Sequence, residues 1–96
     1  MKYVLTTTKR FEKALKRCQK RGYNMEKLRT ALKLLVNDGF LPANYRPHKL
    51  VGNHKNEWEA HLEPDWLLTW EQNDNELTLL MLSTGTHVDL FGKTWK

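Results

Sequence analysis

Hydrophobic positions fall into two regimes along the chain. Up to about residue 40 they recur every three to four residues; after that they alternate. Tyr3-Val4-Leu5-Thr6-Thr7 is rich in β-branched and aromatic residues and predicts a first strand. Thr7 or Thr8 can then cap a helix whose apolar positions are Phe11, Ala14, Leu15 and Cys18, with Gly22 as its stop. Asn24 can cap a second helix, with Glu26 favourably placed in its first turn and a stripe of Leu28, Ala31, Leu32, Leu35 and Val36. Asp38-Gly39 ends it. A link of a few residues makes the two helices an antiparallel hairpin.

From Phe40 to Pro47 two prolines predict an extended crossing loop. The period then becomes two. His48-Lys49-Leu50-Val51 reads as a short strand, residues 52–56 as a polar turn, and Glu57 to Leu62 as a strand with Trp58, Ala60 and Leu62 on one face. Its other face carries Glu57, Glu59 and His61. Pro64-Asp65 breaks the ladder, because proline has no N–H to donate. Trp66 to Glu71 is the next strand, Asn73-Asp74-Asn75 a hairpin turn, and Glu76 to Leu82 the most apolar strand, expected to be central. Gly85 interrupts it before a short terminal segment, Thr86 to Gly92. The order β-α-α-β-β-β with hairpin links predicts an α+β fold: an antiparallel sheet packed on one face by the helical hairpin.

Length and composition narrow the class. Ninety-six residues make one domain with a modest core. The lone Cys18 excludes an internal disulfide and fits a reducing compartment. With no apolar run long enough to span a membrane and no signal-like N-terminus, the expected location is the cytoplasm. The net charge of +5 is unevenly divided. Residues 1–40 hold eleven Lys/Arg against three Asp/Glu, a balance of +8; residues 41–96 hold five against eight, a balance of −3. The helices therefore present a cationic face, suited to nucleic acid, a membrane surface or an acidic protein, or else simply solvated.

Candidate chemistry lies in the second half. All four histidines, His48, His54, His61 and His87, are there. His61-Leu62-Glu63-Pro64-Asp65-Trp66 concentrates a histidine and two carboxylates at one corner. If the last strands are neighbours, His61, Asp65 and His87 converge on one sheet edge, with His48 beside them. Two histidines and a carboxylate supply a base, an acid and an orienting group. Composition alone favours histidines incidental to function, and His54 reads as solvated. The spacings His-x5-His and His-x6-His are not those of a zinc finger. A glycine-rich phosphate loop, a nucleophile elbow and an HExxH helix are all missing from the sequence.

Three motifs at matching spacing carry a resemblance. His48-Lys49-Leu50-x-Gly52, then Glu59-Ala60-His61-Leu62-Glu63-Pro64-Asp65-Trp66-Leu67-Leu68, then Thr84-Gly85-Thr86-His87-x-x-Leu90-Phe91 resemble the YafQ branch of the RelE-type toxins. These are ribosome-dependent mRNA endonucleases of bacterial toxin–antitoxin pairs. The resemblance implies a RelE-like fold and a metal-independent cut in which a ribose 2′-hydroxyl attacks the adjacent phosphodiester. It implies His87 as leading acid/base group, with His48, His61 and Asp65 completing the proton-transfer set. Phe91 would stack on a base, Trp66 would shape the pocket, and Lys49 and Arg46 would contact substrate. Lys9, Lys13, Lys16, Arg17 and Lys20 would grip ribosomal RNA. The implied partners are a cognate antitoxin, the ribosome with mRNA, and operator DNA only as the toxin–antitoxin complex; no cofactor and no membrane are implied. One departure matters. The family's arginine before Thr-Gly-Thr-His is replaced here by Ser83, so Arg46, Lys49, Lys55 or Lys93 would have to supply the charge, or turnover is weakened. A non-catalytic RNA- or ribosome-binding member of the same fold is the alternative reading.

Overall fold

A computed structural model describes residues 2–50 and 56–92. Strand β1 (Val4–Thr7) leads into helices α1 (Lys9–Lys20) and α2 (Met25–Asp38), a short 3-10 turn (Ala43–Tyr45), strands β2 (His48–Lys49), β3 (Glu57–Glu63), β4 (Trp66–Asn73) and β5 (Thr78–Gly85), and helix α3 (His87–Phe91). Val51 and the turn residues 52–55, including His54 and Lys55, lie outside the described residues, as does Lys93.

The helix boundaries follow their caps. Thr8, not Thr7, caps α1: its hydroxyl accepts from Phe11 N at 3.0 Å and donates to the Met81 carbonyl at 3.0 Å. That one side chain starts the helix and ties it to β5. Asn24 caps α2, and Gly39, at φ +76°, closes it. A Cβ on Gly39 would meet the Tyr3 ring, whose hydroxyl donates to Asp74 at 2.8 Å. Glycine there lets β1 pack against the end of α2.

The sheet has five strands in the order β1-β5-β4-β3-β2. The α+β class stands, with three refinements. The sheet has five strands where the order β-α-α-β-β-β writes four, because the short His48–Lys49 segment counts as a strand of its own. β1 pairs with β5 in parallel, whereas the other pairs are antiparallel; the helical hairpin carries the chain from β1 to β2 at the far edge, and β3 and β4 bring it back to β5 beside β1. The middle strand is β4, whose first five residues are all buried, with β5 one place toward the edge. β5 also begins at Thr78 rather than Glu76, because Asn73 Oδ1 accepts from the Asn75 and Glu76 amides and holds that stretch as a turn.

Both helices lie on one face. Phe11 and Cys18 of α1 and Leu28, Ala31 and Leu35 of α2 meet Ala60, Trp66, Leu68, Trp70, Leu79 and Met81 of the sheet in one core. Alternate residues face the other way: Glu59 and His61 of β3, Leu67 and Thr69 of β4, Ser83 of β5, with His48 beside Glu59. That second face carries the candidate site. No helix among the described residues is long and apolar enough to cross a membrane.

Candidate active site

Two devices aim the C-terminal chemistry. The first is the corner between β3 and β4, a two-residue Pro64-Asp65 turn with a register shift between His61 and Glu63. The bulge rotates the end of β3, and His61 Nδ1 donates to the Pro64 carbonyl at 3.4 Å. The second is the β5-to-α3 corner. Gly85 sits at φ +146°, and a Cβ there would lie 2.6 Å from Asp89 Oδ2. Thr86 then caps α3 in a reciprocal box with Asp89. Arg21 grips Asp89 with two hydrogen bonds, at 2.6 and 3.0 Å, and so fastens α3 to the end of α1. Those bonds, Arg21's first, hold the Asp89 carboxyl far below the usual carboxylate range despite partial burial.

The two corners meet. Asp65 Oδ1 accepts from His87 N at 2.9 Å and from His87 Nδ1 at 2.5 Å. The backbone donor first, then the ring, lower the Asp65 pKa. The His61 and His87 rings lie 6.0 Å apart, and the Phe91 ring is 6.5 Å from His87. His61, Asp65 and His87 thus lie together at one end of the sheet, with the Phe91 ring beside His87.

His48 reaches the same face through β2. Its Nδ1 lies 3.2 Å from the Arg46 carbonyl, which can only accept, so Nδ1 carries a proton. Its Nε2 faces Glu59 Oε1, also at 3.2 Å. Glu59 itself is only 7% exposed, and its Oε2 is the one buried side-chain oxygen among the described residues without a partner. Burying a carboxylate is costly unless it is paired, and His48 is the partner that Glu59 has here. Sequence reasoning put Glu59 on this face and inside the second motif but gave it no role. The signal was its register opposite His48.

Several expected site residues are elsewhere. Trp66 is a correction: it is 2% exposed, faces the helices, donates to Thr84 Oγ1 at 2.9 Å and packs edge-on to Tyr23. It is core, set by its even register with Leu68 and Trp70. Lys49 is a second correction. It pairs with Trp58 and lies over that ring, on the helix side of the sheet and away from His48. Arg46 contributes its carbonyl to His48; its φ of +49° turns the chain into β2. Of the α1 cations, Lys9, Lys13 and Arg17 line a cleft with Ser83, while Lys16 and Lys20 are exposed outside it. The apolar hollow of about 280 Å³ bounded by Phe40, Leu41, Trp58 and Trp70 is on the opposite side of the sheet and has no acid or base in its lining.

Comparison with known proteins agrees with this geometry. The family model of the YafQ toxins, bacterial toxins of type II toxin–antitoxin systems, matches residues 3–92. The chain belongs to the YafQ toxin family. It is 42% identical over 83 residues to the mRNA interferase toxin YafQ of Escherichia coli K12, covering 85% of this chain and 88% of that protein. The toxin in the E. coli DinJ–YafQ toxin–antitoxin complex superposes with a TM-score of 0.87 at 38% identity, covering 96% of this chain and all of that one. A metal-bound toxin from Helicobacter pylori matches with a TM-score of 0.84 at 34% identity, over 93% and 99% of the two chains. In the present chain, the described residues contain no group of three or more His, Cys, Asp or Glu arranged to hold a metal.

Proposed function

We propose that this chain is an mRNA endoribonuclease that acts on the ribosome and is neutralised by an antitoxin. The observation that carries the reading is the His87–Asp65 contact with the His61 ring 6.0 Å away, on the face that also holds the His48–Glu59 pair. The hydrogen-bond partners suggest distinct roles. His61 donates Nδ1–H to a neutral carbonyl, leaving Nε2 as the acceptor nitrogen, the arrangement of a base. It takes the 2′-hydroxyl proton; the 2′-oxygen bonds to phosphorus; the bond from phosphorus to the 5′-oxygen breaks. His87 donates Nδ1–H to a carboxylate that balances the charge of a protonated ring, the arrangement of an acid, and gives its proton to the departing 5′-oxygen. The products are a 2′,3′-cyclic phosphate and a 5′-hydroxyl, and no metal step is needed. His48 and Glu59 share a proton and orient the nucleophile, and Phe91, 37% exposed, offers a ring for an unpaired base. Lys16 and Lys20 form part of a ribosome-facing surface.

The direct test is His87→Ala. Growth inhibition should disappear, and mRNA 5′ ends mapped after induction should lose their in-frame cuts, at equal expression and unchanged fold. Single-turnover cleavage should fall by about 100-fold or more. Toxicity equal to wild type would refute the assignment, and a stoichiometric transition metal that co-purifies with the protein and whose removal abolishes cleavage at constant Mg2+ would refute the metal-free mechanism.

Ser83 favours a second reading. Without the arginine, the protein could bind ribosomes and, with its antitoxin, operator DNA, while leaving mRNA whole. Intact mRNA with retained ribosome binding would select it.

A further inference from the structure

A cleft of about 370 Å³ opens between α1 and β5, lined by Lys9, Arg10, Lys13, Arg17, Ser83 and Asp89. Four cations and one acid meet there, and the acid is already engaged: Arg21, outside the lining, takes both Asp89 oxygens. Arg17 reaches Asp89 only at 3.8 Å, and Lys9, Arg10 and Lys13 have no ion-pair partner among the described residues. Like charges gathered around a hollow repel one another unless an anion sits between them.

The cleft lies beside α3, whose Asp89 lines it two residues after His87. β1 ends at Thr7, and Thr8 bonds Met81, so α1 takes over as the neighbour of β5 beyond that point. Ser83 pairs with Thr69, Thr69 with Glu59, and Glu59 with His48, one row across the sheet. Paired residues stand about 5 Å apart, so Ser83 is roughly 10 Å from Glu59 and 15 Å from His48. Ser83, Thr69 and Glu59 are buried, so Ser83 forms part of the cleft floor and the charge around it comes from α1.

We propose that this cleft is a phosphate subsite for the RNA strand, in which Lys9, Lys13 and Arg17 supply from α1 the positive charge that Ser83 cannot supply from β5. The proposal rests on the endoribonuclease reading and names where its substrate is held. Lysine and arginine stems are long enough to bring charge from the helix into the cleft, and arginine can grip a phosphate with two donors. Of the four cations named in the sequence reading as substitutes, Arg46 and Lys49 lie at the β2 side of the sheet, far from Ser83, and Lys55 and Lys93 are outside the described residues.

The test is a mutant cycle between Lys9→Gln/Lys13→Gln and Ser83→Arg. It leaves Arg17 and Asp89 intact, so α3 keeps its anchor, and thermal melts check the fold. Single-turnover mRNA cleavage is measured at saturating ribosomes, which removes differences in ribosome affinity. With Ser83 present, the lysine pair variant should lose about tenfold or more; with Ser83→Arg also present, the same change should cost less than about threefold. Equal losses in both backgrounds would place the lysines on ribosomal RNA and overturn the subsite. A second arm uses the isolated protein and a short single-stranded RNA made uncleavable by one 2′-deoxy nucleotide. Amide shifts at Lys9, Lys13 and Ser83 that vanish in the lysine variant are expected; shifts confined to other surfaces overturn the subsite. If none of the four proteins cuts mRNA, the endoribonuclease reading falls and the binding arm alone decides the cleft.

Discussion

Glu59 is a carboxylate 7% exposed, with one oxygen on His48 and the other without a partner among the described residues. A buried polar group that is only partly paired is costly, so the contact with His48 matters for both residues. Glu59→Gln keeps the shape and removes the acid. Cleavage should drop by about tenfold or more while the melting temperature holds or rises, since a buried charge is exchanged for a neutral amide. A normal rate would make Glu59 a structural partner of His48 alone. Asp65 answers to pH. Its carboxyl is held below the usual range by the His87 backbone N–H and then by the His87 ring. A lowered folded-state value means that the contact contributes fully above the ordinary carboxylate pKa of about 4 and is lost as pH falls through the lowered value. Asp65→Asn should therefore flatten the acid side of the stability profile below about pH 4, seen by melting at a series of pH values. Asp65 is exposed, so the amplitude should be small.

At the scale of elements, a five-residue helix cannot hold itself, so α3 depends on its anchors. Asp89 is one of them: it closes the Thr86 cap and receives Arg21 from the far end of α1. Arg21→Ala should cost about 1–3 kcal/mol, because it leaves a half-buried carboxylate short of its main donor. Gly85→Ala should be worse for function than for stability. The methyl would collide with Asp89 at a positive φ, tilt α3, and separate His87 from Asp65. Denaturant melts and cleavage measured on the same preparations distinguish the two effects. The sheet elements show where pattern reading stops. The alternation of Trp66, Leu68 and Trp70 marked a strand with one apolar face. It did not show that this face looks toward the helices, which is why Trp66 falls in the core. Lys49 failed for the same reason: in a two-residue strand, one step of register decides the side.

Across the whole molecule, the charge asymmetry has a spatial meaning. The cationic N-terminal half and the histidine face meet along β5, so a polyanion held by the helices is presented to the acid/base groups. Ribosome affinity should fall steeply with salt. Lys16→Gln/Lys20→Gln, which alters the exposed side of α1 outside the cleft, should reduce the log–log salt slope by about 1.5, as each phosphate contact accounts for about 0.7–0.9. An unchanged slope would remove those two lysines from the ribosomal surface. A cationic toxin of this kind is also suited to an antitoxin with an acidic segment, which would cover the same surface.

The sequence by itself determined the first two helices, through caps and a three-to-four period; the strand segments, through alternation and turn residues; and the candidates for proton transfer, through motifs at fixed spacing. These are local properties, or linear ones. Only the tertiary structure decided that β1 lies parallel to β5 and that α1 flanks Ser83. It also decided that Glu59 is buried against His48, and that Arg21 reaches across 68 residues to fix the helix carrying His87. Each of those depends on which strand lies beside which, and on which way a side chain points from it. Pairing and facing come from packing the whole core at once, and a pattern read along one chain does not contain them.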